Sequence, residues 1–346
     1  MSKEEAMDVK EFHEIFTQAR DELGRVVVGQ ERVIEHLLVA VFAGGHVLLT
    51  GMPGLGRTLM VKTLAQILGL EFRRLQFTPD LLPTDIIGAE VLEGHAAGGQ
   101  RRFKFFKGPV FANMVLADEV NRSPNRTQSA LLELMQERQV TSCGTTHFLP
   151  KPFTLVATQN TLDTEGIWFL GEAQSDRFIM CIEQDYPDEA AEGKMVEMTT
   201  GNRKIIPKQV ATPEKVLAMM RFAKDVPVIP SVKRFALSIV RASRPHEKEA
   251  VKEVAGEIRL GASPRAAQSM LQAAKVLALA RGRQHVSKQD VLEVARPVMC
   301  HRLSIDFRAQ AKGRTARHVL ETLLAKVQER SVPQVSMWTR ELLKQL

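Results

Sequence analysis

Short apolar runs punctuate the first half of the chain: "HVLLT" (46–50), "FRRLQF" (72–77), "MVLADE" (114–119), "FTLVAT" (153–158) and "RFIMCIE" (177–183). Between them, "RTLMVKTLAQIL" (57–68) and "RTQSALLELMQE" (126–137) repeat apolar residues at helical spacing. Strand alternating with helix predicts an α/β unit, a parallel sheet flanked by helices. After "QDYPDEAAEGKMV" the strand signals stop. From Pro213 onward the pattern is helical, in "PEKVLAMMRFAKDV", "SVKRFALSIVRASR", "SPRAAQSMLQAAKVLALARGR", "SKQDVLEVARPVMCHRL" and "TARHVLETLLAKVQER". Thr212, Ser263 and Ser287 stand where N-caps belong, and Pro213 and Pro264 fall in first helical turns, where a missing N–H leaves nothing unpaired. The predicted second part is therefore all-helical, joined through "TTGNRKIIPKQVATP" (199–213). The glycine-rich "EGHAAGGQ" (93–100) reads as a hairpin tip or loose loop.

The first apolar run leads into "GMPGLGRTL" (51–59). Gly51, Gly56 and Thr58 fit the phosphate-loop spacing G-x-x-x-x-G-K-[ST] except at one place, and the strand before and helix after give the motif its meaning. Glycines let successive backbone N–H groups turn toward phosphate oxygens, and the following helix offers its positive N-terminal end to the same anion. Thr58 supplies a hydroxyl for Mg²⁺. Arg57 stands where the motif has lysine. It keeps the positive charge in a planar, bulkier, forked group. Phosphoryl transfer depends on positioning, so this exchange is expected to cost turnover more than binding.

"MVLADE" ends in adjacent acids. At the C-terminal end of a strand beside a phosphate loop, Asp118 is placed to hold Mg²⁺ through its water shell and Glu119 to orient the attacking water. Asn160, closing "FTLVATQN" (153–160), is placed to help hold that water. An apolar strand ending in two acids is a sign of a nucleotide hydrolase, though taken alone the loop also reads as a ligand-free turn, the acids as solvated and Asn160 as turn chemistry; the order of the three gives them value together.

Composition narrows this picture without changing it. The 346 residues, 44% apolar, suffice for two domains with a sizeable core. A net charge of +7 is compatible with acidic partners but is modest enough for plain solubility. Cys143, Cys181 and Cys300 lie far apart with no CxxC pair, so neither a zinc site nor a disulfide framework is expected, and a reducing compartment fits. The opening "MSKEEAMDVKEFHEIF" lacks an apolar leader core, and the longer apolar stretches are interrupted short of membrane-spanning length. A cytoplasmic protein with no direct membrane insertion is the expectation.

These pieces, together with "GEAQSDRF" (171–178) and "GASPRA" (261–266), closely resemble the AAA+ ATPases of the MoxR family across roughly residues 10 to 325. "LQFTPDLLPTDIIGAEV" (75–91), "FKGPVFANMVLADEVNRSPNRTQSALLELMQERQVT" (106–141), "LVATQN" (155–160) and "EAQSDRFIM" (172–180) follow the family pattern in order and spacing. The resemblance implies ATP and Mg²⁺ as ligands. It carries Walker A onto Gly51, Pro53, Gly54, Leu55, Gly56, Arg57, Thr58 and Leu59, Walker B onto Asp118 and Glu119, and sensor 1 onto Asn160. It makes Arg177 the arginine finger and Arg265 the sensor 2 arginine; the residues alone read as an ion-pairing arginine at a strand start and a first-turn surface residue. Gly29 and Gln30, in "VVVGQERVIEHLLVAVFAGG" (26–45), fall in the segment that packs on adenine in the family. A finger acting on a neighbour implies a homo-oligomeric ring, hexameric by the family's habit.

The resemblance also implies a layout: a helical lead-in at 1–20, an AAA+ nucleotide-binding domain at 21–195, a helical lid at 196–330 carrying Arg265 over the nucleotide, and a tail at 331–346. "RRFKFF" (101–106) belongs to the family's helix-2 insert and reads as the half-buried strand of a hairpin. Three departures stand out. Arg57 replaces the Walker lysine, "EGIWFLGEAQ" (165–174) brings Trp168 and Phe169 to the expected subunit interface, and "QVSMWTRELLKQL" (334–346) extends past the family's usual end. The expected function is an ATP-driven remodelling or maturation factor acting on a client, with a von Willebrand factor A domain protein as partner. A nucleotide-gated scaffold with little hydrolysis is the alternative that Arg57 raises. A nucleic-acid-associated motor is a further alternative, opposed by the lack of a recognised DNA-binding module.

Overall fold

Nine strands fall before residue 185 among those described: β1 (Val47–Gly51), β2 (Phe72–Gln76), β3 (Gly88–Glu93), β4 (Arg102–Lys107), β5 (Met114–Asp118), β6 (Gln139–Ser142), β7 (Thr145–Phe148), β8 (Thr154–Thr158) and β9 (Met180–Gln184). The computed structural model describes residues 7–93, 102–142, 144–160, 167–201 and 205–331. Five strands form one parallel sheet in the order β2-β5-β8-β1-β9. Alternate side chains leave a strand on opposite faces. Val47 and Leu49 of β1 thus enter one core and Leu48 the other. β8, in the middle, is buried along its whole length, as a parallel strand covered on both faces must be.

The helices of this half are α1 (Val9–Val26), α2 (Glu31–Phe42), α3 (Arg57–Ile67), α4 (Pro83–Ile87), α5 (Asn125–Glu137), α6 (Glu172–Ser175) and α7 (Glu189–Thr200). α1, α2 and α3 bury apolar residues in one core, and α4 and α5 in the other. β3 and β4 pair antiparallel, so "RFKFF" (102–106) does form a hairpin strand; Phe105 stacks on His147 of β7, and Phe103 is exposed. The β6–β7 hairpin was not anticipated, because its strands are polar and half exposed. The expected hairpin tip at 94–100, Cys143 and the extension 334–346 lie outside the described residues.

The second part comprises α8 (Pro213–Asp225), α9 (Pro230–Ala242), α10 (Lys252–Ala255), α11 (Pro264–Ala280), α12 (Lys288–Met299), α13 (Phe307–Ala311) and α14 (Ala316–Ser331). The hydroxyls of Thr212, Ser263 and Ser287 accept from the backbone N–H groups of Lys215, Arg265 and Asp290 and cap α8, α11 and α12. This part is helical as expected, apart from one short pair: β10 (Ile258–Leu260) runs antiparallel to β11 (Ser304–Ile305), strands too short to register as a pattern. Its apolar residues are continuous with one face of the sheet. Leu49, Met180 and Ile182 belong to the same cluster as Met270 of α11, Val294 of α12 and Leu320 of α14.

Arg302 pins the two parts together. Its side chain, 2% exposed, donates to Asp176 Oδ1 at 2.8 Å and to the carbonyls of Asp176, Phe178 and Ile179 at 3.1, 2.7 and 3.2 Å. It also reaches Ser269 Oγ of α11 at 3.2 Å. These carbonyls serve the guanidinium instead of a strand ladder. The last apolar run therefore becomes strand at Met180, later than its pattern predicts, and Arg177 sits in the turn before it. Removing one member of a buried ion pair costs about 3–5 kcal/mol, against about 0–1 for an exposed pair. Arg302→Met is expected to lower the urea unfolding free energy by at least ~3 kcal/mol, while Arg317→Met on the surface shifts it by under ~1 kcal/mol. Equal losses would show that the Arg302 network has no special weight.

Candidate nucleotide-binding site

The glycine loop leaves β1 at Gly51 and enters α3 at Arg57. Gly51 has φ +122, and a Cβ there would lie 2.1 Å from the carbonyl oxygen of Gln184 on β9. Gly54 (φ +83) and Gly56 (φ +71) have nothing within 4 Å of such a Cβ, so only their left-handed backbone calls for glycine. Gly56 caps α3 without a side chain, which leaves the first-turn N–H groups open to an anion. Pro53, Gly54 and Leu59 are exposed, and Leu55 and Thr58 half-buried.

Arg57 folds back against this loop. Its Nε donates to Gln184 Oε1 at 2.8 Å, Nη2 to the Met52 carbonyl at 3.0 Å, and Nη1 to the Gln159 carbonyl at 3.3 Å. Burial lowers the guanidinium pKa below its ordinary value, while Asp118 and Glu119 pull it back up, so this cation sits within the field of both acids.

β5 delivers those acids. Asp118 ends the strand, and Glu119 turns into the left-handed region (φ +58, ψ +50), which breaks the alternation that would point neighbouring side chains apart. A non-glycine residue there costs on the order of 1 kcal/mol, a strain typical of functional turns. Thr158 of β8 bridges the pair: its hydroxyl donates to Asp118 Oδ1 (2.7 Å) and accepts from the Glu119 N–H (2.8 Å). From β2, Arg74 donates through Nε and Nη2 to Asp118 Oδ2 at 3.0 and 2.7 Å. Gln76 Nε2 donates to Glu119 Oε2 at 2.9 Å, and Arg122 Nε lies 3.3 Å from the same oxygen. Asn160 sits alongside, its backbone held from both sides by the buried amide of Asn121.

Thr58 and Asp118 offer a hydroxyl and a carboxylate. This is hard-oxygen chemistry suited to Mg²⁺ carried on nucleotide phosphates, an ion that keeps much of its shell as water and phosphate. An all-protein cage needs more, and no cluster of three His, Cys, Asp or Glu side chains suited to a metal occurs among the described residues. The residues present therefore fit the nucleotide-borne ion.

Gly29 (φ +72) packs against Pro187 and Ala191, and Gln30 Nε2 donates to the Asp185 carbonyl at 3.2 Å. Both line a cavity of about 930 Å³ between α2, β9, α12 and the start of α14, which Thr50 and Tyr186 also line. Its size suits a small-molecule ligand. Cys181 and Cys300 line it too, and burial pushes their thiols up to about 12 and about 11, leaving them protonated at neutral pH.

Arg177 and Arg265 lie elsewhere. With Gly44, Gly45, Arg138 and Arg302 they line a cleft of about 210 Å³ beneath the N-terminal ends of β1 and β9. Arg265 Nη1 is 3.5 Å from Asp176 Oδ2, and the buried Arg177 Nε has no hydrogen-bond partner among the described residues. Gly45 precedes β1 and Gly51 ends it, so roughly 20 Å of extended chain separates this cleft from the glycine loop. Within this chain, Arg265 therefore lies away from the glycine loop. Asp176 and Arg302 anchor the start of α11 to the opposite edge of the sheet. Sequence reasoning also missed Arg74, Gln76, Thr158 and Gln184. Arg74 and Gln76 were visible as polar residues two apart on a strand, and β2 pairs with the acidic strand with Gln76 opposite Asp118.

A glycine loop at the C-terminal end of an inner parallel strand, with an acidic pair ending the second strand over and one strand between them, defines a P-loop nucleotide-binding module of the AAA+ class. The model of the ATPase family associated with various cellular activities (AAA) matches residues 46–180, and that of the AAA lid domain matches 251–323. Chaperone MoxR1 of Mycobacterium tuberculosis is 40% identical over 91% of this chain and 81% of its own length. Protein MoxR of Paracoccus denitrificans is 31% identical over 86% of this chain and 90% of its own. A crystal structure from Cytophaga hutchinsonii matches with a TM-score of 0.84 at 40% identity, covering 92% of this chain and 96% of that one. The chain belongs to the MoxR family of AAA ATPases. No described helix is long and apolar enough to cross a membrane.

The loop glycines separate experimentally. Gly54→Ala, strained by backbone alone, is expected to cost about 1–2 kcal/mol in urea unfolding. Gly51→Ala adds collision with the β9 backbone and is expected to cost at least twice as much; similar losses would refute this reading of Gly51.

Proposed function

We propose that this protein is a cytoplasmic, MoxR-type ATPase that binds Mg·ATP and couples its hydrolysis to the remodelling or maturation of a partner protein. Bound Mg·ATP supplies the transferable γ-phosphoryl group and a metal that offsets its charge. The glycine loop and the start of α3 hold the phosphates, Thr58 and Asp118 hold the metal, and Glu119, once released from Gln76 and Arg122, orients the water and takes its proton. Asn160 steadies that water. Gly29 and Gln30 border the cavity assigned to the base.

One observation carries this reading: the acids and the arginines occupy opposite edges of the sheet. In this arrangement a chain's own Arg177 and Arg265 lie away from its own glycine loop. A head-to-tail contact brings them to a neighbour's loop, and closing such contacts makes a ring, which we take to be a hexamer. Planar forked donors are suited to the charge that develops on a transferring phosphoryl group. The M. tuberculosis relative bears the name chaperone, which agrees with action on a client; a von Willebrand factor A domain protein is the partner we assign. A slowly hydrolysing, nucleotide-gated scaffold is the second reading, favoured by the donors Arg57 commits to the loop's own carbonyls.

Subunit mixing tests the assignment. Glu119→Gln and Arg177→Ala proteins are each expected to lose at least ~100-fold in steady-state hydrolysis. Mixed in equal amounts, they are expected to recover about a quarter of the wild-type rate, since that share of interfaces joins an intact Glu119 to an intact Arg177. No recovery in rings shown to contain both chains would overturn action across the interface, and hydrolysis unaffected by Glu119→Gln would overturn the mechanism.

A further inference from the structure

Gln184 has no place in the reading above, yet it touches the residue that departs most from the phosphate-loop pattern. It closes β9 beside Gly51, is 1% exposed, and accepts from Arg57 Nε at 2.8 Å. Its own Nε2 is buried without a partner among the described residues. A buried amide that leaves one end unsatisfied carries a penalty, so the end that is satisfied must justify its presence.

The contact is one that lysine cannot make. A guanidinium has a donor at Nε, partway along the side chain, whereas lysine concentrates its donors at the tip. Of the five N–H groups of Arg57, Nε is used by Gln184, one on Nη1 by the Gln159 carbonyl and one on Nη2 by the Met52 carbonyl. One donor remains on each terminal nitrogen. Two parallel donors at the fork are the arrangement that binds phosphate oxygens in pairs.

We infer that Gln184 is a positioning residue that adapts this phosphate loop to arginine, holding Arg57 by Nε so that its two remaining fork donors meet the nucleotide phosphates. The inference rests on the nucleotide-binding reading above and deepens it. Arginine at position 57 is then a working phosphate ligand with a dedicated support, and the pair Arg57–Gln184 replaces the single lysine.

A double-mutant cycle tests it, read as the affinity of a fluorescent ATP analogue with and without Mg²⁺, alongside kcat and KM. Gln184→Met removes the acceptor at similar volume. With Arg57 present it is expected to weaken binding about tenfold, the range for a hydrogen bond to a charged group. In the Arg57→Lys background the same change is expected to alter binding less than about twofold, because lysine has no donor there to lose. Gln184→Asn draws the amide back by one methylene while keeping a polar group in the buried position. It is expected to behave alike and serves if the methionine variant does not fold. Equal weakening in both backgrounds would make Gln184 a structural amide, and no weakening in either would leave Arg57 unsupported by it; both overturn the inference. Failure of the unaltered protein to bind the analogue would instead overturn the nucleotide-binding reading.

Discussion

The carboxylate of Asp176 is where the two parts of the molecule are tied together. It faces Arg302 at 2.8 Å, accepts from the hydroxyl of Ser263 at 3.0 and 2.8 Å, and has Arg265 at 3.5 Å. Ser263 is also the N-cap of α11, so one acid fixes where that helix begins and how it is aimed. A buried charge left alone would be prohibitive, and here every neighbour that lowers the cost belongs to a different element. The result is a corner where Arg177 and Arg265 line one cleft, with Arg265 facing the Asp176 carboxylate.

The other edge of the sheet is organised by the same logic with signs reversed. Asp118 and Glu119 are brought together by a left-handed turn and then each occupied from β2, by Arg74 and by Gln76, which also bond one another at 2.6 Å. Neither acid is free to serve a nucleotide until those partners yield. A parallel sheet suits this division, because all its strands end at one edge and begin at the other, giving two separate chemical surfaces.

Most of the architecture was legible because it rests on periodicity. Strands, helices and the caps at Thr212, Ser263 and Ser287 follow from spacing and local hydrogen bonding, which a single chain displays. The phosphate loop was legible for the same reason, since its residues are contiguous. What could not be read was contact between distant segments. Nothing in "CHRL" announces that Arg302 takes carbonyls from residues more than a hundred positions earlier, so the start of β9 was misplaced. Arg74, Gln76 and Gln184 escaped because an exposed or terminal polar residue on a strand looks like solvent chemistry until its neighbour is known. Arg57 was legible as a departure, but not its support.

The apolar core that runs without a break from Leu49 and Met180 into Met270 and Leu320 has a mechanical consequence. Bending the helical part away from the sheet would open that core to water across a broad front, a cost that grows with every square ångström exposed. The chain thus lacks an internal elbow between its two parts. In the ring proposed above, a stroke would have to arise at the seams between neighbours, with each protomer moving as a solid wedge.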